Sequence, residues 1–173
     1  MTNKFTEEVR IDNKVIKRIN APWNVALDSI FKANGKVISS RDLAHARTQY
    51  DATHTINFLG SYVSEGVLYV PNNNPYLLLI RPSPLLDSSL AEQATQAHRS
   101  GKEAFIDEKL AQSYLDRLAS KNTNVFALTD LTSVPTDRFA DDERTVWLFQ
   151  DVAQQYGEHL KANKRIPGAG HIG

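Results

Sequence analysis

Two stretches of the chain decide its predicted fold, NGKVISSRDLA at residues 34–44 and EGVLYV at residues 65–70. The first ends one helix at Asn34-Gly35 and starts the next at Ser39, because Asn and Gly favour a helix end and Ser accepts hydrogen bonds from a first helical turn. In the second, Gly66 interrupts any preceding helix and opens an apolar run that is typical of a β-strand. The stretches therefore predict a change from helices to strands near residue 66.

Helical periodicity extends outward from the first stretch in both directions. Before it, apolar side chains recur at helical spacing at Trp23, Leu27, Ile30 and Phe31. Asn20 can cap this helix and Pro22 suits its first turn. After the second helix, which we expect to end near Arg47, one apolar stripe is formed by Ala52, Ile56, Leu59 and Val63. This spacing predicts a third helix at about residues 51–65.

The second stretch predicts a β-hairpin. Residues 67–70 and 76–80 are apolar and rich in β-formers, and the segment between them, residues 71–75, consists of Pro and Asn. Such a segment favours a turn. A separate short hairpin or arm is expected within residues 1–21, where two β-rich runs flank Asp12-Asn13-Lys14.

The remaining chain is predicted to be a second, mainly helical region at residues 82–173. Arg81-Pro82-Ser83-Pro84 forms a stiff connection, since two prolines restrict the backbone and remove donors. Capping residues predict helices that start near Ser89 and Asp107, and residues 124–128 favour a strand. A long helix is expected from Asp141 to Lys164. The predicted class is α+β, and we expect a fragment of about residues 20–84 to fold alone.

The order helix, helix, helix, strand, polar loop, strand over residues 22–81 resembles the winged helix-turn-helix superfamily. The residues that carry the resemblance are 34–44 and 65–70. It covers about residues 22–80, roughly a third of the chain. The resemblance implies that the second helix supports a recognition helix at about residues 51–65, and that the following hairpin is a wing. It implies docking on duplex DNA.

The expected DNA contacts follow from this arrangement. The outer face of the third helix would present His54, Asn57 and Ser61, which can bond to base edges. Lys36, Arg41 and Arg47, with Lys32, could contact phosphates. The tip of the wing would be Asn72, Asn73 and Asn74, which are uncharged, unlike the Arg or Lys common in DNA-reading wings.

The long C-terminal helix predicts self-association. Its apolar stripe contains Val146, Phe149, Val152, Tyr156 and Leu160. A rod of about 24 residues and about 36 Å would present more apolar surface than one small neighbour covers. We therefore expect a homodimer through this stripe.

Composition narrows the functional classes. The chain has 173 residues, 41% hydrophobic and 23% charged, with no cysteine and a net charge of zero. The absence of cysteine excludes thiolate nucleophiles and cysteine-ligated metals, and no HExxH, glycine-rich phosphate loop or GxSxG occurs. We expect no catalytic residue, metal site or cofactor. No apolar run could span a bilayer, and no secretory signal is seen, so we expect a cytoplasmic protein without a membrane partner.

Three functions stay open in order of preference. The first is a DNA-binding transcriptional regulator, consistent with ten basic against seven acidic residues in residues 1–86. The second is a winged-helix module that binds another protein and no nucleic acid. The third is a small hydrolase or nuclease that uses acidic residues of the second half.

Overall fold

A computed structural model of the chain describes residues 5, 7–51, 53–57, 61–71, 76–128 and 133–163. These residues form an α+β structure with two small antiparallel sheets. The strands are β1 (Glu7–Ile11), β2 (Lys14–Arg18), β3 (Gly66–Val70), β4 (Tyr76–Ile80) and β5 (Val125–Leu128). The α-helices are α1 (Trp23–Lys32), α2 (Ser40–Thr48), α3 (Ser88–Arg99), α4 (Glu108–Ala119), α5 (Glu143–Phe149) and α6 (Ala153–Ala162). Short 3₁₀ turns occupy Thr55–Asn57, Pro84–Leu86 and Gln150–Val152.

The N-terminal hairpin forms where the sequence predicts one. β1 and β2 pair antiparallel with Val9 opposite Ile16, and Asp12 in the connecting turn has a positive φ of 50°. Asp tolerates this left-handed conformation better than most residues. One face of the hairpin buries Val9 and Ile11 against Leu43 of α2. The hairpin thus packs on the second helix as part of the fold.

Helix α2 begins as predicted, and a distant side chain adds to its capping. The Ser39 hydroxyl accepts a hydrogen bond from the Asp42 amide at 3.0 Å. The buried Glu65 carboxylate accepts from the Ser40 amide at 2.9 Å and from the Ser40 hydroxyl at 3.0 Å. Because the first amides of a helix lack partners within the helix, both contacts stabilise this end of α2.

The predicted third helix at residues 51–65 is wrong in the part of this segment that the structure describes. Only Thr55–Asn57 form a helical turn, and residues 61–65 are neither helix nor strand. Short polar side chains compete with the backbone here, since the Asp51 carboxylate accepts from the Thr53 amide at 2.8 Å and Asn57 donates to the Asp51 carbonyl at 2.8 Å. The apolar spacing predicted burial correctly for Ile56, but helical backbone incorrectly.

The two strands of the predicted hairpin pair with each other, and a third strand extends them into a larger sheet. β3 pairs with β4, and β4 also pairs with β5, giving the strand order β3-β4-β5. Leu78 and Ile80 point to one face, where they pack with Tyr114 of α4. Leu79 points to the other face, into a cluster with Leu148 and neighbours from α5 and α6. The sheet therefore lies between α4 and the last two helices.

The predicted continuous helix from Asp141 to Lys164 is also wrong over residues 141–163. α5 ends at Phe149, and Gln150 has φ 53° and ψ −129°, outside the helical region. The bent path brings both Phe149 and Tyr156 onto Phe139, with ring centroids 5.3 Å and 5.7 Å away. A straight rod is replaced by two short helices that enclose one aromatic residue.

Elements on both sides of the expected boundary at Arg81–Pro84 share one interior. Arg81 donates from Nε to Glu65 at 3.2 Å and from Nη2 to the Trp147 carbonyl at 2.7 Å. Its guanidinium also lies 4.2 Å from the centre of the Trp147 ring. In place of the predicted separation, this arginine connects the start of β3 to α5.

Candidate functional site

The three residues predicted to read bases lie in different environments. Asn57 is buried, with 5% of its surface exposed, which contradicts its predicted outward position. His54 is half-buried, with its ring centroid 4.2 Å from that of Tyr50, and its Nδ1 accepts from the Ile56 amide at 3.3 Å. Ser61 is exposed. The structure does not assemble these residues on one groove-facing helix.

Asn57 belongs instead to a polar cluster beneath α6. Its Nδ2 donates to the Asp51 carbonyl, which leaves Oδ1 as the acceptor for His159 Nε2 at 3.4 Å. Asn163 Nδ2 lies 3.3 Å from His159 Nδ1, so Nδ1 acts as an acceptor. These two contacts favour the neutral ring with its proton on Nε2. Burial, and then the positive charge of Arg47, lower the pKa of His159.

Two of the residues predicted to contact phosphate, Arg41 and Arg47, form hydrogen bonds with other residues of the same chain. Arg41 forms a bidentate pair with Asp151, with both nitrogen–oxygen distances 2.7 Å, and the hydrogen bond to Asp151 is the largest contribution that raises the pKa of Arg41. Arg47 donates to the Ile56 carbonyl at 3.1 Å and to the Tyr156 hydroxyl at 2.9 Å. Lys32 and Lys36 are exposed. Both arginines therefore tie α2 to other segments.

The predicted dimer stripe is mostly internal. Val146 is exposed, whereas the remaining members lie in the core of the same chain, namely Phe149, Val152, Tyr156 and Leu160. Most of this stripe is therefore not available for self-association, because other parts of the same chain already cover it. The predicted wing tip, Asn72, Asn73 and Asn74, lies outside the described residues.

Among the described residues, no group of three or more His, Asp or Glu side chains could hold a metal ion. An open groove beside α6 is lined by Asp141, Glu158 and Lys161, with Ala140, Gln154 and Gly157. Gly157 is buried at this groove, and a Cβ there would lie 3.4 Å from the Phe139 ring. Within the same described residues, no helix has the length and apolar character needed to cross a membrane.

The most distinctive exposed surface is the free edge of the three-stranded sheet. β3 lies at the end of the order β3-β4-β5, so among the described strands it pairs only with β4. Val67 and Tyr69 alternate with partly buried residues and are 57% and 58% exposed. β3 has the sequence Gly-Val-Leu-Tyr-Val and contains no charged residue. We call this surface, residues 66–70, the β3 edge.

Trp23 of α1 contacts two other segments of the chain through Tyr62 and Leu85. Tyr62 is 70% exposed, and its ring centroid is 5.0 Å from that of Trp23. Trp23 Nε1 donates to the Leu85 carbonyl at 2.9 Å, and the Leu85 side chain is itself exposed. Trp23 therefore connects α1 to the segment that precedes β3 and to the segment that follows β4. Tyr62 thus presents an exposed aromatic ring four residues before the start of β3 in the chain.

The absence of charge in residues 66–70 is visible in the sequence, but the winged-helix interpretation assigned this strand to a wing. An uncharged strand at the end of a sheet is unusual, because natural edge strands commonly carry Lys, Pro or a covering segment. Position in the sheet, however, depends on β5, which lies 55 residues after the end of β3 (Val70 to Val125). The sequence does not show that β5 pairs with β4, and this pairing decides that β3 lies at the end of the sheet.

No family model, curated protein sequence or solved structure matches the chain.

Proposed function

We propose that this chain is a protein-interaction module that binds an extended segment of another polypeptide along the β3 edge. The observation that carries the proposal is an uncharged edge strand on which Val67 and Tyr69 are more than half exposed. Strand addition uses the unpaired amides and carbonyls of such an edge for affinity and alternate side chains for specificity.

The exposed side chains define the partner segment. Val67 and Tyr69 lie on the same face of β3, since side chains alternate along a strand. A partner strand would place residues two apart beside them, and β-branched or aromatic residues pair best at such positions. A charged residue there would lose solvation against two apolar side chains without gaining an ionic partner. The expected ligand is therefore a short, extended, alternately apolar segment.

DNA binding ranks below this proposal. The helix expected to enter the major groove is not formed in the described part of residues 51–65, and Asn57 is buried. Arg41 and Arg47 bond to Asp151 and Tyr156 within the chain, so phosphate binding would have to compete with these contacts. The β3 edge carries no positive charge that could attract phosphate.

Selection from a displayed library of random peptides of about twelve residues tests the proposal, because strands in proteins are about five or six residues long. We expect the selected peptides to be alternately apolar. Tyr69→Lys and Val67→Lys should each weaken their binding about tenfold or more, which corresponds to about 1.4 kcal/mol. Titration by fluorescence anisotropy measures the dissociation constants.

Val15→Lys is the matched control. Val15 is also an exposed valine on a strand, but it lies in β2 of the separate N-terminal hairpin. Peptide affinity should be unchanged by this substitution. Peptides that bind equally well to all three lysine variants would reject the β3 edge. Binding of random duplex DNA at about 50 mM salt, unaffected by the same variants, would restore the DNA hypothesis.

A further inference from the structure

We propose that in the free protein the β3 edge is covered by a second copy of the chain, through an antiparallel β3–β3 pair centred on Leu68. This inference rests on the proposed function, because it names the first occupant of the same edge. A partner segment would then have to displace the second copy. Self-association and partner binding are therefore mutually exclusive.

The sequence of β3 is complementary to itself in this register. When Leu68 lies opposite Leu68 of the second copy, Val67 lies opposite Tyr69 of that copy, and Gly66 opposite Val70. A β-branched residue facing an aromatic one is a favourable cross-strand pair. The two-fold symmetry forms this pair twice. The register uses all five residues of the strand, whereas any shifted register uses fewer.

The faces of the two sheets also agree in this register. Leu68 and Val70 pack on the face covered by α4, and Val67 and Tyr69 lie on the opposite face. In this register odd-numbered residues lie opposite odd-numbered residues, and even-numbered opposite even-numbered. Each face of one sheet therefore continues as the same face of the sheet in the second copy. The result is one antiparallel sheet with the order β5-β4-β3-β3-β4-β5. Both exposed tyrosines gain an apolar neighbour.

Electrostatics do not oppose this contact. β3 carries no charge, and Glu65, the residue before it, is buried and paired with Arg81 at 3.2 Å. The formal net charge of the whole chain is zero, so two copies have little long-range repulsion. Pro71 follows the strand and has no amide hydrogen to donate, which ends the pairing after Val70.

The symmetry limits the assembly to two chains. A β3–β3 contact uses the same surface on both copies and consumes both β3 edges, so it closes on itself. Pairing of β3 with β5 of another copy would leave further edges free and would continue into a fibre. A five-residue strand gives a small interface, which favours a weak dimer that a partner segment could open.

Sedimentation velocity of the full chain from about 5 to 500 µM tests self-association over the range expected for a small interface. We expect a concentration-dependent shift from monomer to dimer. Tyr69→Lys should weaken the dimer about tenfold or more, because it alters both symmetry-related pairs. Val15→Lys should leave it unchanged. Circular dichroism of each variant checks that the fold is retained.

Cysteine cross-linking tests the register without relying on loss of binding. The chain has no native cysteine, so single substitutions define the positions of any disulfide. A mixture of Val67→Cys and Tyr69→Cys chains should form the mixed disulfide faster than either chain forms its own. The reason is that directly opposite residues are closer than diagonal ones. Val15→Cys should not cross-link to either.

The outcomes separate this inference from the proposed function. A monomer at every concentration would overturn the β3–β3 pair, and edge-specific peptide binding would still support the interaction module. If neither Tyr69→Lys nor an excess of a selected peptide weakened the dimer, the dimer would form through another surface. This outcome would also overturn the β3–β3 pair. A dimer that the peptide dissociates, with the mixed disulfide preferred, supports it.

Discussion

His159 is a single residue whose protonation state depends on three segments of the chain. Asn57 from the 3₁₀ turn and Asn163 after α6 engage its two ring nitrogens. The ring also stacks on Tyr156, with centroids 6.3 Å apart. A proton added to Nδ1 would point at the donor group of Asn163 and would add positive charge near Arg47. The folded state therefore disfavours the charged ring.

This arrangement predicts a pH-dependent stability that His159→Gln should reduce. The pKa of His159 is lowered in the folded chain by burial and by Arg47, from an ordinary value of 6.5. Below about pH 6.5 the unfolded chain binds more protons at this residue, so its contribution to stability falls with the pH and is lost below the folded pKa. Urea denaturation between about pH 8 and pH 5 measures the free energy of unfolding.

The variant should lose less stability than the original chain as the pH falls. His98→Gln, at an exposed position near the end of α3, is the control. Parallel curves for the original chain and His159→Gln would show that the half-buried ring does not contribute in this way.

At the scale of elements, local signals predicted α2 well, whereas residues 51–65 needed tertiary information. Ser39 and Asp42 lie three residues apart and make the capping contact that their spacing predicts. Asn57 by contrast is positioned by Asp51 and by His159 of α6, 102 residues later. A periodic apolar pattern indicates which side chains are buried, but such distant polar contacts decide whether the backbone is helical.

The break between α5 and α6 could not be predicted from the sequence either, because no local signal marks it. Residues 149, 152, 153 and 156 fit one helical stripe, and no Gly or Pro marks a break. Asp151 is bound by Arg41 of α2, and Phe149 and Tyr156 share Phe139. These contacts come from elements far away in the chain, and they accompany an unfavourable backbone conformation at Gln150.

Gln150→Gly should therefore stabilise the protein or leave its stability unchanged. A non-glycine residue at φ 53° and ψ −129° carries strain on the order of 1 kcal/mol, which glycine would relieve. This gain opposes the greater backbone entropy that glycine adds to the unfolded chain. Thermal unfolding should show an equal or higher midpoint.

Gln93→Gly supplies the contrast, because Gln93 is exposed in the middle of α3. Glycine in a helix interior costs about 1 kcal/mol, so this variant should unfold at a lower temperature. If Gln150→Gly and Gln93→Gly lowered the midpoint of thermal unfolding equally, glycine would relieve no strain at position 150.

At the scale of the whole molecule, the α+β class was predicted correctly. The packing of residues 82–163 against the elements that precede Arg81 was not predicted. The strand at residues 125–128 was expected, yet nothing local indicates that it pairs with β4 rather than with another strand. Long-range pairings of this kind depend on loop closure and on the fit of both sheet faces. β3 stays at the end of the sheet because β5 pairs with β4 and not with β3, so the candidate site could not be deduced from its own sequence.

The same packing predicts that a fragment of residues 20–84 does not fold alone. Leu79 would lose its neighbours Phe139 and Phe149, and the opposite face of β4 would lose Tyr114 of α4. Exposure of these side chains removes about 1.5 to 3 kcal/mol for each fully buried apolar residue. This loss is large compared with the stability of a small domain.

We expect the fragment to show no cooperative thermal transition and little near-ultraviolet circular dichroism, whereas the full chain shows both. Adding a second fragment of residues 85–173 should restore the near-ultraviolet signal, because it supplies α4, β5 and the last two helices. A mixture in which Leu79→Asp replaces the original residue is the control, since a buried carboxylate would block docking of the two fragments. A cooperative transition of the first fragment alone would instead establish residues 20–84 as an independent folding unit.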